Sequence, residues 1–179
     1  MIVHSTRIPG VAVVECQPRV DERGSFTRTF DVEVFAANGL DFSVMQRSTS
    51  FNPRAGTLRG LHYQAAPHGE GKLIRCTRGR IFDVAVDLRA DSPMHREWVS
   101  LELSADGVHS FFIPPGCAHG FQTLEDNSEV DYQMTAAYVP TAAKGVRWDD
   151  AAFSIEWPSP ALGERTMSER DRNYPDYAV

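Results

Sequence analysis

The sequence predicts an all-β domain, a sandwich or a barrel, from two features of its pattern. Short β-rich segments separated by turn residues follow one another from residue 11 to residue 135. In the clearest of them, residues 80–88, Phe82, Val84 and Val86 alternate with Asp83 and Ala85, as successive side chains of a strand do. The repeated short strands favour packed or closed sheets over alternating strands and helices.

Nine segments have this β-rich character. They are residues 11–16, 26–30, 44–51, 58–64, 72–77, 80–88, 98–103, 110–113 and 130–135. A tight turn at Gly79 is expected between the fifth and sixth segments. One short helix is expected at 32–37, with Asp31 as its N-cap and Gly39 closing it after Asn38.

The whole chain, residues 1–179, is expected to form one domain, because 179 residues suit a single core. From residue 140 to 179 the strand signals fade. Pro158, Pro160, Gly163 and Pro175 predict an irregular C-terminal segment with at most short helices.

Composition and charge exclude several classes of protein. The chain is 42% hydrophobic and 23% charged, with a net charge of −6 and no long basic run, which disfavours nucleic-acid binding. No stretch approaches the ~18 apolar residues of a membrane span. Cys16, Cys76 and Cys117 are odd in number and widely separated, so buried thiols and a reducing cytoplasm are expected.

Two histidines lie in motifs that indicate a site. His62 follows Gly60 in a strand-like run, and His119 follows a Pro-Pro-Gly turn at 114–116. The second motif matches the P-x-G-x-x-H element of the cupin superfamily, and Gly56 to His62 resembles the first cupin element. That element normally has a second histidine where this chain has Gln64.

The glutamine at position 64, in place of the second cupin histidine, bears on metal binding. An open catalytic metal site needs about three protein ligands. His62, His119 and Glu70 keep a metal site open as an alternative, but the incomplete set favours a barrel that works without a metal or another cofactor.

Longer motifs resemble the dTDP-4-dehydrorhamnose 3,5-epimerase family, in order from about residue 8 to residue 171. They are DERG (21–24), TLRGLHYQ (57–64), GKLIRC (71–76), FDVAVD (82–87) and IPPGCAHGF (113–121). The resemblance implies a cupin-type jelly-roll barrel that epimerises a nucleoside-diphosphate 4-keto-6-deoxy hexose at C3 and C5, or at C3 only. A non-catalytic sugar-nucleotide binding protein and a metal-dependent cupin enzyme remain as alternatives.

The resemblance also implies a catalytic set. His62, paired with Asp171, removes a proton beside the sugar ketone; Tyr132 returns one from the opposite face; and Lys72 stabilises the enolate. This chemistry is physically reasonable, because a weak carbon acid needs a base that is neutral near pH 7, a fixed geometry and a charge near the developing oxyanion.

Further positions match residues that bind substrate, some of them from a neighbouring subunit. Arg23 and Phe26 resemble residues that reach into the partner's site, which implies a homodimer with the N-terminal strand region exchanged. The other expected substrate-binding residues are Arg28, Arg47, Arg59, His119, Tyr138 and Arg170.

Three positions depart from the family pattern near the expected nucleotide. Family members usually have Glu at Arg28, Gln at Arg47 and Glu at Ala143, so the sequence leaves the nucleotide open. Strand parity raises a second question, since Arg59 and His62 should face opposite sides of a regular strand. A bulge at Gly60 is expected to bring both to one side.

Overall fold

The computed structural model describes residues 1–160 and 163–178, which form thirteen strands and two short helices. The strands are β1 (Ile2–Ser5), β2 (Ala12–Glu15), β3 (Arg19–Asp21), β4 (Gly24–Phe26), β5 (Gln46–Asn52), β6 (Leu58–Gln64), β7 (Lys72–Arg78), β8 (Arg80–Asp87), β9 (Trp98–Ser104), β10 (His109–Ile113), β11 (Cys117–Thr123), β12 (Ser128–Met134) and β13 (Ala143–Gly145). The helices are α1 (Val32–Ala37) and α2 (Glu169–Arg172).

The strands form two main sheets and one separate hairpin. A six-stranded sheet has the order β1-β2-β10-β7-β12-β5, a five-stranded sheet has the order β13-β6-β11-β8-β9, and β3 pairs only with β4. Among the described residues, the strands within these sheets pair antiparallel. This is the jelly-roll arrangement of cupins, as the sequence predicted.

The main core lies between the two sheets. Ile74 and Val130 from the six-stranded sheet pack with Ile81, Ala85 and Phe121 from the five-stranded sheet. Because successive strand residues point to opposite sides, the outward residues need other cover. The C-terminal segment covers the outer face of the five-stranded sheet, and α1 covers part of the other sheet with an aromatic cluster.

The predicted helix is confirmed in its bounds and its cap. The Asp31 side chain accepts hydrogen bonds from the backbone N–H groups of Glu33 at 3.1 Å and Val34 at 3.3 Å. A second short helix, α2, occupies the C-terminal segment, as expected. The three cysteines are buried thiols. Among the residues that the structure describes, no helix is long and apolar enough to cross a membrane.

The strand predictions are largely confirmed, with one error and several omissions. Residues 27–30 are not a strand, because the chain there turns towards the N-cap of α1. The strands β1, β3, β11 and β13 were not predicted. All seven residues of β11 are buried, so this strand lacks the alternation that marks a half-exposed strand.

The expected bulge near Gly60 is present. His119 on β11 pairs with His62 on β6. Phe121 lies two residues after His119, but it pairs with Arg59, which lies three residues before His62, so β6 has one extra residue. Gly60 has φ 137°, and a Cβ there would lie 2.5 Å from the Gly120 Cα, so the close approach of the two strands requires glycine. The extra residue turns Arg59 and His62 towards the same cavity.

Candidate active site

A cavity of about 380 Å³ opens inside the barrel and is lined from both main sheets. The residues of the five-stranded sheet include His62 and His119, whereas Tyr132 and Lys72 come from the six-stranded sheet. The remaining lining residues are Gln46, Ser48, Ser50, Arg59, Tyr63, Gln64, Glu70, Phe121, Met134, Tyr138, Ala143, Lys144, Arg170 and Tyr174. The cavity is large enough for a small organic ligand.

His62 is bound to a buried carboxylate from the far end of the chain. Its Nε2 lies 2.7 Å from Asp171 Oδ1, and the backbone N–H of Gly60 donates to Asp171 Oδ2 at 3.4 Å. The N-cap Ser168 accepts from the Asp171 backbone N–H at 3.0 Å and so fixes the start of α2. Burial raises the pKa of Asp171, but the hydrogen bond and charge of His62 outweigh it and hold that pKa below its usual value.

This pairing fixes how the imidazole can act. An ionised carboxylate accepts a hydrogen bond, so Nε2 carries the proton and Nδ1 carries the lone pair. The His62 side chain is 42% exposed and lines the cavity, whereas the Asp171 side chain is only 7% exposed. In this arrangement Nδ1 is the ring nitrogen that can accept a proton, and the carboxylate at Nε2 would stabilise the imidazolium that results.

A second histidine–carboxylate pair lies beside the first. His119 is the cross-strand neighbour of His62, and its Nε2 lies 2.6 Å from Oδ1 of Asp83, which is fully buried. Burial raises the pKa of Asp83, although the charge of His119 opposes this. The other oxygen, Oδ2, has no hydrogen-bond partner among the described residues. Sequence analysis placed Asp83 in a strand but assigned it no role.

Tyr132 faces the two histidines from the opposite sheet. Its ring packs edge-on against His119 with 5.8 Å between the ring centroids. Burial, followed by the negative charge of Asp83, raises the pKa of Tyr132 well above its usual value, with Arg59 opposing. The phenol therefore keeps its proton across the neutral range.

Lys72 forms an almost buried ion pair inside the cavity. Its Nζ lies 2.6 Å from Glu70 Oε1, and the two side chains are 8% and 13% exposed. Gln64, at the position where cupins carry a second histidine, donates from Nε2 to Glu70 Oε2 at 3.2 Å. The amide thus fixes the carboxylate that faces the lysine.

The geometry bears on the metal alternative. Within residues 1–160 and 163–178, no group of three or more His, Cys, Asp or Glu side chains is arranged to hold a metal ion. Both His62 and His119 direct Nε2 to a carboxylate, and Glu70 faces Lys72. These donors therefore form separate charge pairs and do not converge on one point.

Besides His119, three of the predicted binding residues lie on the cavity wall. Arg59 is held by a hydrogen bond from its Nε to Asn52 Oδ1 at 2.8 Å. Tyr138 and Arg170 also line the cavity, and Arg170 lies over the ring of Tyr174, with its Cζ 5.5 Å from the ring centroid. Arginine side chains of this kind suit a phosphorylated ligand.

Four other predicted binding residues lie outside the cavity lining of this chain. Arg23 and Phe26 belong to the β3–β4 hairpin, where Arg23 pairs with Asp21 and Phe26 is 72% exposed. Arg28 pairs with Asp31 at the N-terminus of α1, at 2.6 Å. The separation of the hairpin from both main sheets explains why a single chain does not bring Arg23 and Phe26 to the site.

Arg47 points to the other side of its sheet. Its Nε binds Asp131 Oδ1 at 2.9 Å, while Gln46, Ser48 and Ser50 on the same strand line the cavity. Strand parity explains the difference, since alternate residues of β5 face opposite sides. The glutamine of this strand that lines the cavity is Gln46, one residue before the position at which family members usually have glutamine.

Several cavity residues were not found from the sequence. Lys144 lies on β13 and Tyr174 follows α2, both in the segment that was expected to be irregular. Neither residue lies in a motif with its own chemistry. One feature of the sequence indicated that they lie near the site: Lys144 is next to Ala143, and Tyr174 is close to Asp171 along the chain.

The comparisons agree with this geometry. The sequence profile of the dTDP-4-dehydrorhamnose 3,5-epimerase family matches residues 5–178. A dTDP-4-dehydrorhamnose 3,5-epimerase of Methanothermobacter thermautotrophicus is 43% identical over 169 residues, covering 94% of this chain and 90% of the relative. The crystal structure of a dTDP-4-dehydrorhamnose 3,5-epimerase from Elizabethkingia anophelis has a TM-score of 0.94 at 33% identity, covering 99% of this chain and 96% of that one.

A second similar structure is that of a 3′-monoepimerase. This protein, from Streptomyces bikiniensis and in complex with dTDP-quinovose, has a TM-score of 0.88 at 32% identity, covering 97% of this chain and 86% of that one. The matches span nearly the whole chain and include the strands that carry both histidines. The chain belongs to the dTDP-4-dehydrorhamnose 3,5-epimerase family and is an isomerase of the carbohydrate epimerase class.

Proposed function

We propose that this chain inverts C3, or both C3 and C5, of a dTDP-linked 4-keto-6-deoxy hexose. One observation carries the proposal: a carboxylate-paired His62 and a protonated Tyr132 face one cavity from opposite sheets. Inversion at carbon needs a base on one face and an acid on the other. A site with a single proton-transferring group would exchange the proton without changing the configuration.

The geometry supports the following sequence of proton transfers. The lone pair of His62 Nδ1 takes the proton from the carbon beside the ketone, and the C–H electron pair moves into the enolate. Lys72, whose charge is held in place by Glu70, stabilises the enolate oxygen. Tyr132 then donates its O–H proton to the opposite face of that carbon. Proton exchange with solvent restores the phenol and the neutral imidazole.

The cations of the cavity support a diphosphate-linked substrate. Arg59, Lys144 and Arg170 line the cavity of a chain whose net charge is −6. Because position 46 supplies the cavity glutamine, Arg47 no longer argues against thymidine. Ala143 does line the cavity, so this chain offers no carboxylate at the position where family members usually have glutamate.

Deuterium exchange tests the function directly. The protein should introduce deuterium at C3, or at C3 and C5, of dTDP-4-keto-6-deoxyglucose in heavy water, as followed by NMR. The number of labelled carbons distinguishes single from double epimerisation. Exchange should persist after dialysis against a strong chelator. A wild-type protein that binds this nucleotide sugar without labelling either carbon would contradict the proposal and favour a non-catalytic binding protein.

A homodimer is the second part of the proposal. The β3–β4 hairpin exposes Val20 at 78% and Phe26 at 72%, and Arg23 lies in its turn. Exposed apolar side chains on a hairpin that pairs with neither main sheet indicate a contact surface. We propose that this N-terminal region docks on a second copy, in which Arg23 and Phe26 complete the cavity.

Mixed dimers provide the test. His62→Ala and a double Arg23→Ala, Phe26→Ala variant should each be inactive alone. After denaturation and refolding together, a mixed dimer has one intact site, so random pairing should restore roughly a quarter of the wild-type rate. A monomer by sedimentation, or a mixture with no recovered activity, would exclude the shared site.

The proposed location is the cytoplasm. Burial raises the pKa of Cys76 to about 11 and that of Cys117 to about 12, so both thiols are protonated and unreactive at neutral pH. Cys16 is also a buried thiol whose pKa is raised by burial. A fold that buries three unpaired thiols suits a reducing compartment.

A further inference from the structure

An aromatic ring from the C-terminal segment contacts the imidazole of the proposed base, His62. Tyr174 lines the cavity, and its ring meets the His62 imidazole at an interplanar angle of 69°, with 5.8 Å between the centroids. This edge-to-face arrangement is favourable for aromatic pairs. Tyr174 follows Asp171 by three residues, so one short segment supplies both contacts of the imidazole.

The neighbouring strand leaves space for this ring. Gly145 on β13 pairs with His62 on β6, so it lies directly beside the base. A Cβ at Gly145 would lie 2.3 Å from the Tyr174 Cζ, closer than packed atoms approach. The tyrosine therefore occupies the volume that any side chain at position 145 would need, and its ring is confined between that strand and the imidazole.

We propose that Tyr174 is a positioning residue that holds the imidazole of His62 in the orientation needed for proton transfer. This inference rests on the proposed epimerase function. Asp171 fixes the position of one nitrogen of the imidazole. A single hydrogen bond does not fix the plane of the ring, which can still rotate while that bond is kept. Because the imidazole is 42% exposed, the contact with Tyr174 restricts that rotation where other cover is lacking.

The hydroxyl group of Tyr174 is not needed for this role. It is buried and forms no close hydrogen bond within the described part of the chain, and its polar neighbour is Arg170, not His62. Burial raises the pKa of the phenol above its usual value, and the charge of Arg170 opposes this only in part. The ring, rather than the oxygen, is therefore the part of the side chain that acts.

Two substitutions separate the ring from the hydroxyl. Tyr174→Phe should keep kcat for deuterium exchange within about twofold of wild type, because the ring remains. Tyr174→Ala should lower kcat ~10- to 100-fold, since a displacement of about 1 Å at a reacting group has effects of this size. Its KM should change less than its kcat, although Arg170 also contacts the ring.

NMR provides a readout that does not depend on turnover. The ring C–H resonances of His62 should carry a ring-current shift in the wild type and in Tyr174→Phe, and should lose it in Tyr174→Ala. If the alanine variant does not fold, as judged by its thermal transition, Tyr174→Leu tests the same point with more of the volume retained.

The outcomes distinguish this inference from the function on which it rests. A wild-type protein without exchange activity would contradict the epimerase function, whereas the NMR shift would still report the contact. A wild-type kcat in Tyr174→Ala, an equal loss in the phenylalanine variant, or an effect on KM alone would each overturn the positioning role.

Discussion

Replacing His62 with alanine should lower the rate of deuterium exchange at the substrate carbon by ~10²–10⁴-fold or more, because the base is lost. Asp171 binds Nε2 of this imidazole, which lines the cavity, so Nδ1 is the nitrogen left for the proposed role of base. His119 should not replace it, since it is bound to a different carboxylate and is 4% exposed. The rate is measured by NMR in heavy water under saturating substrate.

Two controls make this result specific. His109→Ala removes a histidine of β10 that lies outside the cavity lining, and it should leave exchange unchanged. Added free imidazole should restore part of the activity of the His62→Ala variant, because it supplies the missing base. An alanine variant that folds, binds the nucleotide sugar and exchanges at the wild-type rate would remove His62 from the mechanism.

The sequence predicted those parts of the fold that have a local signal. The alternation in 80–88 identified β8, and Asp31 and Gly39 identified the ends of α1. The parity conflict between Arg59 and His62 predicted the bulge that the strand register shows. For β8 and α1 a few neighbouring residues determine the backbone, so those inferences needed no long-range contact. The bulge was inferred instead from the site positions that the family resemblance assigns to Arg59 and His62.

Features that depend on residues far apart in the chain were harder to predict. Asp171 lies 109 positions from His62, and the family resemblance alone indicated their pairing. Asp83 was assigned to a strand, but its contact with His119 depends on the register of β8 and β11. Tyr174 lies in an irregular segment without periodicity, so no pattern placed it at the cavity.

The expectation that Arg47 binds the substrate shows a different limit of prediction from the sequence. A one-residue difference in strand register moves every side chain to the other face. The sequence match pointed to position 47, while the structure places Gln46 in the cavity and pairs Arg47 with Asp131 outside it. An argument about nucleotide choice from one strand position therefore depends on knowing the register of that strand.

Replacing Tyr132 with phenylalanine should separate proton removal from inversion. The variant keeps His62, Asp171 and Lys72, so the proton beside the ketone should still be removed and replaced by deuterium. Without the phenol, the opposite face has no acid, and the yield of inverted product should fall by ~10²-fold or more. Deuterium would then enter mainly with retention of configuration, returned by the imidazole that removed the proton.

The measurement compares two rates on one sample. NMR in heavy water gives both the loss of the substrate C–H signal and the appearance of the inverted sugar. Tyr177→Phe is the matched control, since its ring packs against Phe153 outside the cavity and both rates should stay at the wild-type level. If Tyr132→Phe slows exchange and inversion equally, the phenol acts in proton removal and the assignment of separate base and acid fails. Unequal loss requires two groups on opposite faces, which is the arrangement that the two sheets create.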